Sequence, residues 1–229
     1  MSALAEVLGR PDIWRGDRLA EAPLPAVASG FASLDVQLPG GGWPRGALTE
    51  LLIDGSGLGE MSLLLPTLRA VREEGGWSLL IAPPHPLQAP AWAAAGVDLA
   101  RLAVVSPASE RDALWAMEQA LASGAPGLVL GWAAHADGRA LRRLQVAAAG
   151  GRALALLFRP LRAAEEASPA PLRLMLAAGT EGRLSVYLIK RRGPPLTTPI
   201  ELALPRPARH HGHGRSLAGH PARRPVVSV

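Results

Sequence analysis

Residues Asp54 to Ser62, within LLIDGSGLGEMSLLL, carry the spacing of a loop that cradles phosphate without its charged groups. Such a loop follows a strand, reads G-x-x-x-x-G-K-[ST] and opens a helix, so that a lysine meets the anion and a hydroxyl meets magnesium. With Gly59 as the last glycine, the lysine position falls on Glu60, the hydroxyl position on Met61 and the first glycine on Asp54, with Gly55 and Gly57 between. A unit charge pair at about 4 Å in an effective dielectric of about 20 is worth roughly 4 kcal/mol. Exchanging lysine for glutamate therefore turns a phosphate contact of that size into repulsion. Met61 offers a soft thioether where magnesium takes hard oxygen. The plain alternative for the same residues is a glycine-rich turn joining a strand to a helix.

The frame around this loop alternates apolar strands with helical segments, the pattern of a parallel sheet with crossover helices. The patterning predicts strands at Ala47–Ile53, Trp77–Ala82, Leu102–Val105, Gly127–Gly131, Ala153–Phe158, Leu172–Ala178 and Leu184–Lys190. Helices are predicted at Leu58–Arg72, Pro90–Ala95, Glu110–Ser123 and Gly138–Ala149. Ser109 stands at an N-cap position and Gly124 follows the C-terminus of the third helix, which is ordinary helix punctuation. The last two strands, separated by Gly179 to Gly182, read as an antiparallel hairpin closing the sheet. The domain organisation expected is a leader at 1–28, an α/β domain at 29–204 and a disordered basic tail at 205–229.

At 229 residues and 48% apolar content the chain has room for one such domain and an ample core. It has no cysteine, which excludes disulfides, zinc–thiolate sites and thiol catalysis. No basic-then-apolar leader and no apolar run near the ~20 residues that span a bilayer is present. The expectation is a cytoplasmic protein without a membrane contact. The net charge is +5, and Lys190 is the lone lysine among 24 basic residues. Arginine makes bidentate phosphate contacts, although a GC-rich genome produces the same bias.

The order of segments resembles the core of the RecA recombinase family: SGFASLDVQLPGGGWPRGALTELL before the loop, then LLIAPPHPLQAPAWAAAGVDLARLAVVSP, then SGAPGLVLGW. The likeness runs from about Ser29 to Leu204. It implies a RecA-like P-loop core with a mostly parallel sheet, helices on both faces and the C-terminal hairpin. Within that superfamily the GGGWPRGALTELL block, the degenerate loop and PDIWRG near the N-terminus resemble the ImuA family. Trp77 through Phe158 is also similar to the cell-division inhibitor SulA.

The ImuA resemblance implies an accessory of SOS-linked mutagenic translesion synthesis. Its expected partners are the ImuB pseudo-polymerase and an error-prone replicative-type polymerase, with RecA as a further candidate. DNA contact is expected to be weak or indirect, and localisation cytoplasmic, at the nucleoid during DNA damage. The SulA resemblance implies the alternative, a division inhibitor binding FtsZ.

Departures from RecA-type chemistry all run one way. Pro84 falls where a water-orienting carboxylate belongs, and Gly131 and Trp132 fall where a strand-ending acid would hold magnesium. Phosphoryl transfer rests on placed charges, so the expectation is no catalysis, no cofactor and no metal. His85, beside two prolines, reads as surface structure.

Candidate partner or DNA contacts are Arg139, Arg142 and Arg143, which share one helix face opposite Leu141, Leu144 and Val146. The alternative for them is a solvated face. Arg162 lies in a segment, Arg159 to Pro171, that reads as a mobile loop. The tail carries Arg206, Arg209, Arg215, Arg223 and Arg224 among four histidines, with no aromatic residue to stack a base. Trp43 and Trp132 are expected near the vacated nucleotide pocket, with Trp132 and Glu60 closing it.

Overall fold

Leu48–Ile53 supplies six consecutive buried residues, the mark of a strand covered on both faces in a parallel sheet. The computed structural model describes residues 25–205. In chain order the elements are β1 (Ala26–Val27), α1 (Ala32–Asp35), β2 (Trp43–Pro44), β3 (Leu48–Ile53), α2 (Glu60–Glu73), β4 (Ser78–Ile81), α3 (Ala89–Ala94), β5 (Leu102–Val105) and α4 (Glu110–Ser123). There follow β6 (Leu128–Trp132), α5 (Gly138–Ala149), β7 (Leu154–Pro160), β8 (Leu172–Ala178), β9 (Leu184–Lys190) and β10 (Ile200–Leu202).

The main sheet has eight strands in the order β10-β9-β8-β3-β7-β6-β4-β5. The six from β8 to β5 run parallel, and β9 and β10 add antiparallel pairs. The fold is mixed α/β, mostly parallel, with C-terminal antiparallel strands. The hairpin β8–β9 does not close the sheet: β10 pairs outside it.

Alternation along the central strands feeds two cores. Leu128 and Leu130 of β6, with Leu154, Leu156 and Phe158 of β7, pack with Leu63, Leu64, Leu68 and Val71 of α2. Their neighbours Val129, Ala155 and Leu157 pack with Met117 and Leu121 of α4 and Leu141 and Leu144 of α5. A period of two along a strand sends adjacent side chains to opposite faces, so helices cover both. Val146 is a correction: it stands 68% exposed. It sits one turn beyond Arg142, on the solvent side of α5.

Before the main sheet, β1 and β2 form a small antiparallel pair, with Val27 opposite Trp43. Ala26 and Val27 fall within the stretch assigned to the leader. Trp43 is fully buried, and its indole N–H donates to Thr67 Oγ1 on α2 at 2.9 Å. This places it toward the N-terminal edge of β3, at the opposite end from the degenerate loop. It is a core anchor, and the expected position beside the pocket is corrected accordingly. All but the first residue of the basic tail expected at 205–229, the PDIWRG stretch and most of the leader lie outside the described residues.

Candidate functional site

The C-terminal ends of parallel strands are where open α/β sheets bind ligands, and here they frame a cleft of about 530 Å³. Ile53 of β3, Ala82 after β4, Trp132 of β6 and Phe158 of β7 contribute walls, with Gly55 and Ser56 of the loop on one side. Trp132 stacks on Phe158, ring centroids 5.3 Å apart at 21°. Stacked in this way it lines the cleft and leaves it open, so the expected closure by Trp132 and Glu60 does not occur. Ala82 takes φ 55°, a left-handed backbone for a residue with a Cβ, costing roughly 1–2 kcal/mol. Its N–H donates to Val105 O at 2.8 Å, which holds the turn into Pro83 and Pro84.

Glu60 instead turns onto its own loop. The Gly57 N–H donates to both carboxylate oxygens of Glu60 at 3.2 Å, and Glu60 is buried. Gly59, at φ 90°, precedes the first residue of α2, a conformation that glycine adopts without a Cβ penalty. The side chain that stands in the lysine position therefore supplies an anion from within the chain, on a loop amide two residues ahead of the helix N-cap, beside a helix N-terminus where anions are favoured. Leu204 packs over the same turn, its Cδ1 lying 2.5 Å from where a Cβ on Gly59 would sit. Met61 packs against the core, and Asp54 is exposed.

Gly131, at the position where a magnesium-binding acid would stand, faces a filled core. A Cβ there would lie 2.8 Å from Met117 Sδ and 3.4 Å from Leu157 Cδ1. Among the cleft residues only Glu110 and Arg159 are ionisable, and both are engaged. The Glu110 carboxylate accepts the N–H groups of Ala134 at 2.8 Å and His135 at 2.7 Å. Among the described residues no three His, Asp or Glu side chains gather as a metal site. The cleft can hold apolar groups; it presents no unengaged charge.

Arg159 belongs to a buried ionic network that sequence patterning missed. Glu50 of β3 accepts Arg173 Nε at 2.7 Å and Ser168 Oγ at 2.6 Å, and Arg159 NH1 lies 3.6 Å away. Arg159 NH2 donates to Glu166 at 2.7 Å and to the Ala136 carbonyl at 2.9 Å. Arg173 also donates to the carbonyls of Ala163 at 2.6 Å and Glu166 at 3.1 Å. The mobile loop expected at 159–171 is therefore a correction: a 3-10 turn at Leu161–Glu165 is held to the sheet. Buried charges persist only when paired, and two acids here balance two arginines. The available signal was one charge set in each of three apolar strands, LTELLI, LALLFRP and LRLMLAA.

The basic candidates separate. Arg162 donates to the Ala134 carbonyl at 3.0 Å and so braces the cleft rim. Arg143 pairs with Glu118 of α4 at 3.1 Å, while Arg139 and Arg142 are exposed on α5. Arg206, Arg209, Arg215, Arg223 and Arg224 lie outside the described residues. Among the described residues no helix is long and apolar enough to cross a membrane.

Residues 46–155 match the family described as cell division inhibitor SulA. The chain is 36% identical over 111 residues to cell division inhibitor SulA of Photorhabdus laumondii, covering 48% of this chain and 63% of that protein. SulA of Edwardsiella piscicida is 38% identical over 101 residues, 44% of this chain and 60% of that one. Protein RecA of Chlorobaculum parvum is 32% identical over 131 residues, 57% of this chain and 38% of that one. The chain thus spans less than two thirds of each relative. The matches support a SulA/RecA-related superfamily. The SulA match begins at Gly46 rather than near Trp77, so the degenerate loop lies inside it.

Proposed function

We propose that the chain is a non-catalytic binding protein of the DNA-damage (SOS) response, acting as an accessory in damage-induced mutagenic translesion synthesis. The observation that carries the non-catalytic reading is the Glu60 carboxylate on the Gly57 N–H. The anion that a phosphate would supply is already covalently part of the chain. A ligand would have to displace it and then face it at close range, with Pro84 and Gly131 standing where carboxylates for water and magnesium belong. The relatives named SulA and RecA support the damage setting.

The accessory reading, with ImuB-like pseudo-polymerase, error-prone polymerase and RecA as partners, is favoured by the extent of the fold. β1 and β2 on one side, and β8, β9 and β10 on the other, lie outside the segment that matches SulA. The RecA match also covers more of this chain than either SulA match. A second reading, division inhibition through FtsZ, is favoured by the SulA matches themselves.

Affinity purification of the full chain from DNA-damaged cells, with nuclease treatment, separates the two. Recovery of the pseudo-polymerase or error-prone polymerase is expected. Recovery of FtsZ without either polymerase, together with filamentous cells on overexpression in undamaged culture, would replace the accessory reading with division control. Magnesium-dependent ATP turnover by the purified chain would remove the non-catalytic reading altogether.

A further inference from the structure

The outer surface of α4 and α5 carries a pattern that the cleft does not use. Trp115 stands 60% exposed on α4 and Val146 68% exposed on α5. Large apolar side chains grouped on a surface mark contact sites more often than one alone does. Arg111 lies one turn before Trp115, and Arg142 one turn before Val146, at spacings that make helix neighbours. The Arg143–Glu118 pair at 3.1 Å joins the two helices side by side, so that their outer faces form one strip.

Charge on this strip is unevenly committed. Every carboxylate of the two helices and their caps already has a partner. Glu110 accepts two loop N–H groups, and Asp112 accepts Ser109 Oγ at 2.7 Å. Glu118 holds Arg143, and Asp137 caps α5 by accepting the Ala140 N–H at 2.7 Å. Among the described residues the guanidinium groups of Arg111, Arg139 and Arg142 make no hydrogen bond or ion pair, and all three side chains are exposed. A groove of about 260 Å³ between the helices is lined by Arg111, Leu114, Arg139 and Arg143, with Glu110 and Asp137 at its head.

We propose that the α4–α5 strip is a docking surface for an acidic segment of a partner protein. Carboxylates of that segment pair with Arg111, Arg139 and Arg142, and an apolar side chain covers Trp115 or Val146. Arginine and tryptophan are the residues on which interface energy concentrates, and arginine binds carboxylates bidentately. Nucleic acid fits the strip less well. A phosphate backbone requires a run of positive charge, and Glu118 interrupts this one at its centre while Glu110 and Asp137 stand at its head. A peptide places its charges around those positions and its apolar group on the indole. The inference rests on reading the chain as a binding protein, and is independent of which assembly it joins.

The test uses the full chain and three fluorescent probes read by anisotropy: a dodecapeptide alternating Glu or Asp with Leu, its Gln/Asn counterpart, and a twenty-nucleotide oligothymidine. The acidic peptide is expected to bind at least about tenfold more tightly than the neutral one. R139E/R142E should remove that preference, and Trp115→Ala should weaken the acidic peptide about fivefold or more. Trp77→Ala, a change at another exposed tryptophan, should leave it unaltered, with circular dichroism confirming that each variant is folded. R223E/R224E controls for the tail. The proposal is overturned if the tail variant and not the helix variant abolishes binding, if the two peptides bind alike, or if the oligonucleotide binds more tightly and displaces the acidic peptide. It is equally overturned if R139E/R142E keeps the wild-type set of recovered partners in cells. Absence of those partners from wild type would instead overturn the proposed function and leave the peptide result standing.

Discussion

Glu50→Gln removes one negative charge from beneath the 161–171 segment while keeping the side chain's shape. In the folded protein Arg173 Nε lies 2.7 Å from this carboxylate, Ser168 Oγ 2.6 Å, and Arg159 NH1 3.6 Å. Glu50 is fully buried. The variant leaves two buried guanidinium groups facing one remaining acid, the half-exposed Glu166. Breaking a buried pair by removing one partner costs about 3–5 kcal/mol, chiefly through the charge left uncompensated. A domain of this kind has about 5–15 kcal/mol in total, so the loss should be a large share of it. Urea unfolding followed by circular dichroism, with a slope of about 2 kcal/mol per molar, should show the midpoint fall by roughly 1.5–2.5 M. Trypsin under native conditions should cut faster after Arg162, because the turn loses its hold on the sheet. A midpoint loss below about 0.5 M with an unchanged cleavage pattern would refute the reasoning, since the arginines would then be compensated some other way.

Three further outcomes follow from the same geometry. Glu60→Lys alone should leave ATP binding weaker than about 1 mM, roughly −4 kcal/mol, measured by calorimetry; a dissociation constant in the micromolar range would sink the argument that the site lacks more than its lysine. Gly131→Asp should destabilise the domain by about 1–3 kcal/mol through contact with Met117, and adding magnesium should not raise the melting temperature; a magnesium-dependent rise would mean that the core can make room for a metal ligand. Trp43→Phe should cost about 1–3 kcal/mol in urea unfolding, because it leaves the buried Thr67 hydroxyl without the indole N–H; a neutral result would show that Thr67 finds another partner.

Much of the frame was legible because local patterning and tertiary structure agree. α4 and α5 begin and end where Ser109, Gly124 and the 3.6-residue period put them, and β5, β8 and β9 span the residues that apolar composition marks. β10 was not legible: three residues after a loop containing Pro194, Pro195 and Pro199 carry no period to read. The fastening of the 161–171 segment was hidden for a different reason. Its partners, Glu50 with Ser168 and Arg173, lie 118 and 123 residues apart in sequence, and no local window contains both ends. Within the site, the displaced charges of the loop could be read from spacing, whereas the placement of Glu60 on Gly57 could not. A glutamate at a helix start equally well points to solvent, and only burial decides.

That carboxylate has a consequence for timing. A nucleotide loop alternates between empty, loaded and spent, and each exchange gives the protein a moment at which to release what it holds. On the reading proposed above, a loop occupied by its own covalently tethered anion would not pass through those stages. On the proposed reading, nothing inside the domain then marks elapsed time. How long a complex persists would depend on its dissociation rate and on how quickly the chain is made and destroyed. The cell would switch such a protein off by ceasing to make it, and lingering copies would prolong the response after the damage was gone.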